Sequence, residues 1–181
     1  TVSSTGQITT NSATLAAART VAGCKRVIVT SNQTITSAIT WGASDPVLEI
    51  EKGAILTFSG SGALNLTGAS YVFPPDSQIF DGTSGAVTGL AKAYPQHFPG
   101  AGFGTKMNNA LAAIPTAGGI IDATGLIGAQ TVDATITISK PVRVLLGAYT
   151  AALGTNQILI RASGASIEGI AKIDENNSPS R

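Results

Sequence analysis

Two aspartates are the residues of this 181-residue sequence that come nearest to acid–base chemistry. Hydrolysis of a glycosidic bond requires two carboxylates about 5 to 10 Å apart, one of which protonates the leaving group. Asp122 and Asp133 bracket one loop and are therefore catalytic candidates, although Asp122 followed by Ala123-Thr124-Gly125 also favours an Asx turn. Glu49 and Glu51 alternate along one predicted strand and point to the same side, a pattern more typical of a solvated face.

Three cations indicate a second kind of chemistry, the β-elimination of a polyuronate, in which a strong base such as Lys or Arg removes a proton. Lys140 and Arg161 lie about one coil apart in the repeat described below, so both would stack on one face. Arg143 would project from an adjacent face. Such a ladder of cations suits an acidic polymer, while a pair of unrelated solvated cations is the alternative and commoner interpretation.

The other residue types exclude several kinds of site. The single histidine, His97, supplies one ligand where zinc takes three or four, and it gives no Ser-His-Asp constellation. The single cysteine, Cys24, permits no internal disulfide. Residues 100–104 are rich in glycine but lack the strand and the Lys-Ser/Thr ending of a phosphate-binding loop. A net charge of +1 argues against nucleic-acid binding, and no apolar run is long enough to span a membrane.

These candidates lie among many short segments with the composition of β-strands. Each segment is rich in Val, Ile, Leu or Thr and ends at Gly, Ser, Asn or Asp-Pro. With 43% hydrophobic residues, 12% charged residues and 21 glycines, the chain is predicted to be β-rich and dense in turns, and disorder is unlikely on composition alone. The predicted strands are residues 26–30, 34–36, 38–41, 47–51, 54–58, 63–67, 119–122, 134–138, 142–146, 157–160 and 165–168.

The spacing of these segments predicts a repeat. Ile136-Thr137-Ile138 recurs as Ile158-Leu159-Ile160 about 22 residues later, and the segment from Val142 recurs about 23 residues later around Ile167. Parallel stacking of such short strands, about 4.8 Å apart, would build a continuous aliphatic core. We therefore predict an all-β fold, a right-handed parallel β-helix. The rival is an antiparallel β-sandwich, but Asp81-Gly82 is the one candidate for a two-residue hairpin turn.

Two helices are predicted, each just before a series of strands. The first covers residues 13–21 and ends before Gly23, and the second covers residues 105–114, with Thr105 as its N-cap and Pro115 after its end. A helix in this position would cover the unpaired edge of a solenoid. We therefore divide the chain into residues 1–92, with a cap helix and the first coils, and residues 93–181, with a second cap helix and the start of a second β-helix unit.

Several segments resemble the N-terminal region of secreted pectate-lyase-like β-helix proteins, a superfamily of polysaccharide lyases, glycoside hydrolases and phage tailspikes. In many members a Gln-Ile-Phe turn, here Gln78-Ile79-Phe80, precedes a Pro-Glu-Trp-Phe-Gly-Ala segment, which here reads Pro95-Gln96-His97-Phe98-Pro99-Gly100-Ala101. The other segments that resemble this superfamily are residues 53–56, 71–82, 89–98, 108–115, 118–123 and 140–147.

The resemblance implies a fold more than an activity, because this fold carries many functions. Relatives often place an Asp-rich loop before the capping helix, whereas this chain has Gly102-Phe103-Gly104-Thr105-Lys106 there. The resemblance thus implies calcium as a cofactor of the superfamily without identifying ligands in this chain, and no other cofactor is expected. In relatives the chemistry usually lies on central coils, and both ends of this chain look cut from a longer protein.

Three functions follow as expectations. The first is a noncatalytic, secreted or extracellular module with a structural or polysaccharide-facing role. The second is a polysaccharide lyase or glycoside hydrolase whose active coils lie downstream, with Asp122, Asp133, Lys140 and Arg161 as the weak catalytic candidates within this chain. The third is a phage tailspike or self-assembling fibre segment, located on a virion or cell surface, that associates through solenoid faces or ends.

Overall fold

The structure is a computed structural model that describes residues 7–10, 15–126, 128–147, 149–152, 158–169 and 172–174. The chain forms two compact units, Thr1–Gly89 and Leu90–Arg181. Each unit is described by itself. Within the described residues the secondary structure is mostly β, with two short α-helices.

The described residues of the first unit form one helix and ten short strands. The elements, in chain order, are β1 (Gln7–Thr10), α1 (Leu15–Arg19), β2 (Arg26–Val29), β3 (Gln33–Ile35), β4 (Ala38–Thr40), β5 (Val47–Ile50), β6 (Leu56–Phe58), β7 (Ala63–Asn65), β8 (Tyr71–Val72), β9 (Phe80–Asp81) and β10 (Val87–Thr88).

These strands stack in parallel into three sheets, with the orders β1-β2-β5-β8, β3-β6-β9 and β4-β7-β10. Each strand pairs with the strand one coil further along the chain, which is the arrangement of a parallel β-solenoid. Alternate residues point inward, so that Val27 of β2 lies beside Leu48 of β5 and both are fully buried. Trp41 is also buried, and its indole nitrogen donates to the carbonyl oxygen of Pro46 at 2.7 Å.

The second unit repeats this plan. Its elements are β11 (Lys92–Ala93), a 3₁₀ turn (Pro95–His97), α2 (Phe103–Ala113), β12 (Gly119–Ala123), β13 (Gly128–Thr131), β14 (Ile136–Ile138), β15 (Val142–Leu146), β16 (Tyr149–Ala152), β17 (Ile158–Ile160), β18 (Ser166–Gly169) and β19 (Lys172–Asp174). The sheets have the orders β11-β12-β15-β18, β13-β16-β19 and β14-β17, and the strands of every described pair are parallel.

The predicted solenoid is confirmed, and so is its register. Ile136 pairs with Ile158, and Val144 pairs with Ile167, as the repeat in the sequence predicts. The rival sandwich of antiparallel hairpins is wrong, because Asp81 ends a strand that pairs in parallel with β6.

The predicted helices are present, with corrected boundaries. The described part of the first helix is Leu15–Arg19, while residues 13 and 14 of the prediction lie outside the described residues. Thr105 is not the N-cap of the second helix, because the helix begins at Phe103 and Gly102 occupies the N-cap position. The carboxylate that caps this end comes from Asp133, in the following coil, which removes the need for a capping side chain at Gly102.

Candidate functional site

The best-defined polar surface of the second unit is the outer side of the sheet β11-β12-β15-β18. Ile121 and Val144 point into the core, so their neighbours along each strand point outward. The outward residues form two rows along the stacking direction, and we call them together the charged face. One row is Lys92, Ile120, Arg143 and Ser166, and the other is Asp122, Leu145 and Glu168.

Asp122 is the most buried carboxylate of this face, with 8% of its surface exposed. Its Oδ1 accepts hydrogen bonds from the backbone amide and the hydroxyl of Thr124, at 3.0 and 2.5 Å, which form the Asx turn indicated by the sequence. Its Oδ2 lies 2.6 Å from the ammonium of Lys92. Burial alone raises the pKa of Asp122, but the bonds from Lys92 and Thr124 outweigh it, and the pKa is lowered overall.

Lys92 is the partner that the sequence analysis missed. Its hydrogen bonds, first to Asp122 and then to Tyr94, raise the pKa of the ammonium above its ordinary value. The same ammonium lies over the ring of Tyr94, 4.8 Å from the centroid, and the buried ring of His97 lies 4.8 Å from Tyr94. Tyr94 therefore contacts both a cation and an imidazole.

The second ion pair of the charged face is more exposed. Arg143 donates to both carboxylate oxygens of Glu168, with Nε–Oε1 and Nη2–Oε2 distances of 2.9 and 2.6 Å. These bonds raise the pKa of Arg143 and lower the pKa of Glu168. A bidentate contact fixes the orientation of both side chains, even where solvent screens their attraction.

Both ion pairs follow one geometric rule. The carboxylate lies one coil further along the chain and two residues beyond the position that pairs with the cation: Lys92 pairs in register with Ile120, and Arg143 with Ser166. In the first unit Arg26 pairs in register with Val47, and its guanidinium contacts Glu49 at 2.6 Å. In all three pairs the acid lies two residues beyond the residue that pairs in register with the cation, so the relation becomes visible only when the register of the strands is known.

Asp133 is placed at the N-terminus of α2, and the structure does not bring it together with Asp122. Its carboxylate accepts bonds from the amides of Gly102 and Thr105, at 3.0 and 2.9 Å, and from the hydroxyl of Thr105 at 2.6 Å. Burial raises the pKa of Asp133, but these bonds outweigh it and lower the pKa overall. The position at which a helix N-terminus binds an external anion is thus filled by a carboxylate of this chain.

Lys140 is placed at the opposite end of the same helix. Its ammonium donates to the carbonyl oxygens of Leu111, Ala112 and Ile114 at 2.8, 3.2 and 2.5 Å, which satisfies carbonyls that a helix end leaves unpaired. Burial lowers the pKa of this ammonium. The neighbouring cleft of about 200 Å³ is lined by Asn108, Leu111, Ala112, Thr137, Ser139 and Lys140.

Between these two ends, Asn108 joins α2 to the edge of the solenoid. Its side-chain amide donates to the carbonyl oxygen of Thr135 at 2.8 Å and accepts from the amide of Thr137 at 3.2 Å. These backbone groups border β14, the first strand of its sheet, so the asparagine takes the place of a neighbouring strand. These two hydrogen bonds of Asn108 are contacts by which the second helix caps the edge of the sheet.

Arg161 follows β17, and its side chain is exposed. Its backbone amide donates to the carbonyl oxygen of Ile138 at 2.8 Å. Because the Lys140 ammonium is bound to the end of α2 and Arg143 is bound to Glu168, the three cations do not form the free ladder that the sequence analysis considered.

Within the ranges that the structure describes, no group of three or more His, Cys, Asp or Glu residues is placed to hold a metal ion, so no ligands for calcium are identified. None of the helices in those ranges is both long enough and apolar enough to cross a membrane.

Comparison with family models, with curated proteins and with solved structures gives no match. The evidence for the parallel β-solenoid is therefore the strand pairing of the structure itself.

Proposed function

We propose that this chain is a noncatalytic, extracellular β-solenoid module whose charged face contacts polysaccharide. The proposal rests on one observation: three of the candidate catalytic side chains form contacts that stabilise the fold. Asp133 and Lys140 hold the two ends of α2, and Asp122 is bound to Lys92 and Thr124. Side chains that hold the fold in this way are poorly suited to exchange protons with a substrate.

The direction of the pKa shifts of the two candidate aspartates supports the same conclusion. A general acid works best when its pKa lies near the working pH, and a glycosidase acid therefore has a raised pKa. Asp122 and Asp133 both have lowered pKa values, and so neither carboxyl retains a proton near neutral pH. The pKa of Lys140 is lowered by burial, which by itself would favour a base, but its ammonium donates to three carbonyl oxygens at the end of α2 and is thereby held away from a substrate proton.

A polysaccharide-facing role is supported by the composition of the charged face. Charged groups that are fixed by ion pairs alternate there with the half-buried aliphatic side chains of Ile120 and Leu145. Sugar rings present hydroxyl groups on their edges and C–H groups on their faces, and a surface with both kinds of group complements them.

The test is a turnover assay of the purified chain on pectin, alginate and neutral polysaccharides, with detection of new reducing ends and of unsaturated uronates. We expect no product above the buffer control. Turnover that disappears in Asp122→Asn or Lys140→Met, but persists in Asp76→Asn, would contradict the proposal. Asp76 is a suitable control because it forms an exposed ion pair with Lys52 in the first unit. Circular dichroism of each variant establishes that it is folded.

A further inference from the structure

The strand β17 carries core residues that are not covered. Ile158 and Ile160 of β17 pair in register with Ile136 and Ile138 of β14, so all four side chains occupy core positions of the solenoid. The two residues of β14 are each 1% exposed, whereas Ile160 is 53% exposed and Ile158 is half-buried. Ile167 of the neighbouring strand β18 is also half-buried. The apolar core is therefore open to solvent on the outer side of this coil.

The backbone of the same coil is also open to a partner. Among the described residues, β17, β18 and β19 are each the last strand of their sheet. The amide of Arg161 donates to the carbonyl oxygen of Ile138 at 2.8 Å. Since successive amides of a strand point in opposite directions, the amide of Ile160 points away from β14 and toward the outer edge. The strand β17 contains no charged residue and no proline, the residues that commonly keep an edge strand from pairing.

The rest of the sequence favours a second copy of the chain as the occupant of this edge. Residues 175–181 read Glu-Asn-Asn-Ser-Pro-Ser-Arg and contain no aliphatic or aromatic side chain. This segment therefore does not provide the side chains that would fill the open core positions. A second copy provides them, because its own β17 has the same aliphatic residues and the same open edge.

Other edges of the second copy are less suitable. At β14 the side chain of Asn108 binds the backbone, and at β4 Arg19 donates to a backbone carbonyl. Phe80 and Val87, at core positions of β9 and β10, are 1% and 4% exposed, so their strands leave no core position open. The edge of β17 is thus best matched by the same edge of another copy.

From this we infer that two copies of the chain associate through the outer edge of β17, about a two-fold axis at Leu159. The two strands then run antiparallel, and Ile158 of each copy lies opposite Ile160 of the other, which covers the open core positions. Because the same surface is used by both copies, the contact closes into a dimer and does not propagate into a fibre. The inference does not rest on the proposed function.

The first experiment is sedimentation equilibrium of the full chain at increasing concentrations, which should show a monomer and a dimer and no larger species. Ile160→Lys should raise the dissociation constant about a hundredfold, because one aliphatic contact worth about tenfold is lost at each of two equivalent positions. Val72→Lys is the control, since Val72 is 48% exposed but lies on β8, in register with the outward-pointing Glu49. This variant should dimerise as the wild type does, and circular dichroism establishes that both variants are folded.

The second experiment tests the position of the axis with a disulfide. Cys24, the single cysteine, is first replaced by serine. In Leu159→Cys, two thiols would then face each other in a non-hydrogen-bonded antiparallel pair, with Cα atoms about 4.5 Å apart, a separation that a disulfide spans. Mild oxidation should give a covalent dimer. Thr137→Cys is the matched control, because Thr137 pairs with Leu159 from one coil earlier and lies too far from the axis.

The outcomes are distinct. A monomer at every concentration, or a dimer that folded Ile160→Lys leaves unchanged, overturns the inference. A mass that continues to grow with concentration overturns the closed two-fold arrangement. Crosslinking that is equal in Leu159→Cys and Thr137→Cys, or absent from both, overturns the antiparallel pairing at β17. A dimer that is weakened by Ile160→Lys and crosslinked through Leu159→Cys supports it.

Discussion

In both units a helix lies at the unpaired edge of a sheet, but the two helices differ in the number of side-chain contacts that hold them there. In the first unit the described part of α1 is Leu15–Arg19, and Arg19 donates to the carbonyl oxygen of Thr40 in the edge strand β4. In the second unit α2 has eleven residues and is held by Asp133, Asn108 and Lys140. Both helices satisfy edge groups with a side chain, as a further strand would do with its backbone.

The two helices also differ in how their ends are held. In the described part of α1, Leu15 and Ala18 are buried, and Arg19 is the residue whose side chain donates to an edge carbonyl. The longer α2 buries one face through residues such as Met107 and Leu111, and its two ends are also satisfied by charged side chains. The second unit should therefore respond more strongly than the first to changes at its cap, and the following predictions test this.

The largest effect is expected for Gly104→Ala. A methyl group at Gly104 would lie 2.7 Å from the backbone nitrogen of Ala134 and even closer to its carbonyl oxygen, and neither atom is able to move away freely. We expect a loss of about 3 kcal/mol or more in the free energy of unfolding, because overpacking against backbone is among the costly kinds of substitution. Urea denaturation measures this. Gly42→Ala is the control, since its nearest neighbour lies at 3.9 Å, and an equal loss in both variants would refute the explanation.

The second largest effect is expected for Lys140→Met, which should destabilise the chain more than Arg19→Met does. Loss of the Lys140 ammonium leaves three helix carbonyls without their donor, which should cost about 1–3 kcal/mol. Arg19 serves one carbonyl and lies 3.6 Å from Asp45 at the surface, so its loss should cost less than about 1 kcal/mol. Thermal unfolding of both variants gives the comparison. If Arg19→Met is the more destabilising, the two caps do not differ in the way described.

An effect smaller than that of Lys140→Met is expected for Asp133→Asn, and it depends on pH. The pKa of Asp133 is lowered in the folded state, so its contribution is complete above the ordinary value of 3.8 and is lost as the pH falls through the lower, folded value. At pH 7 the variant should be less stable than the wild type by about 1 kcal/mol. The difference should shrink as the pH falls below 3.8. A difference that is the same at both ends of this pH range would mean that the carboxylate charge does not contribute.

Much of the fold was predictable because the core residues repeat. Val142 to Leu146 forms a strand with the boundaries predicted, and the pairing of Ile136 with Ile158 follows from a repeat that is visible in the sequence. Strands of two residues, such as Lys92–Ala93, were not predicted, because they contain no apolar run and are defined by their pairing with β12. The ion pair of Lys92 with Asp122 was missed for the same reason.

The N-cap of α2 shows a second limit of prediction from the sequence. Local rules assign Thr105 as the N-cap, since a hydroxyl near a helix start usually caps it. The structure has Gly102 there, because Asp133 supplies the acceptor and residues 131–134 pass too close for any side chain at that position. The capping carboxylate is 28 residues from Thr105, and a window that covers one helix does not contain it.

The attachment of α2 also has a consequence for the order in which the chain is made. Asp133 and Lys140, which bind its two ends, both follow it in the sequence. A ribosome therefore releases this helix well before it releases the residues that fasten it. Until those residues emerge, α2 lacks the side-chain contacts that hold its two ends in the folded protein.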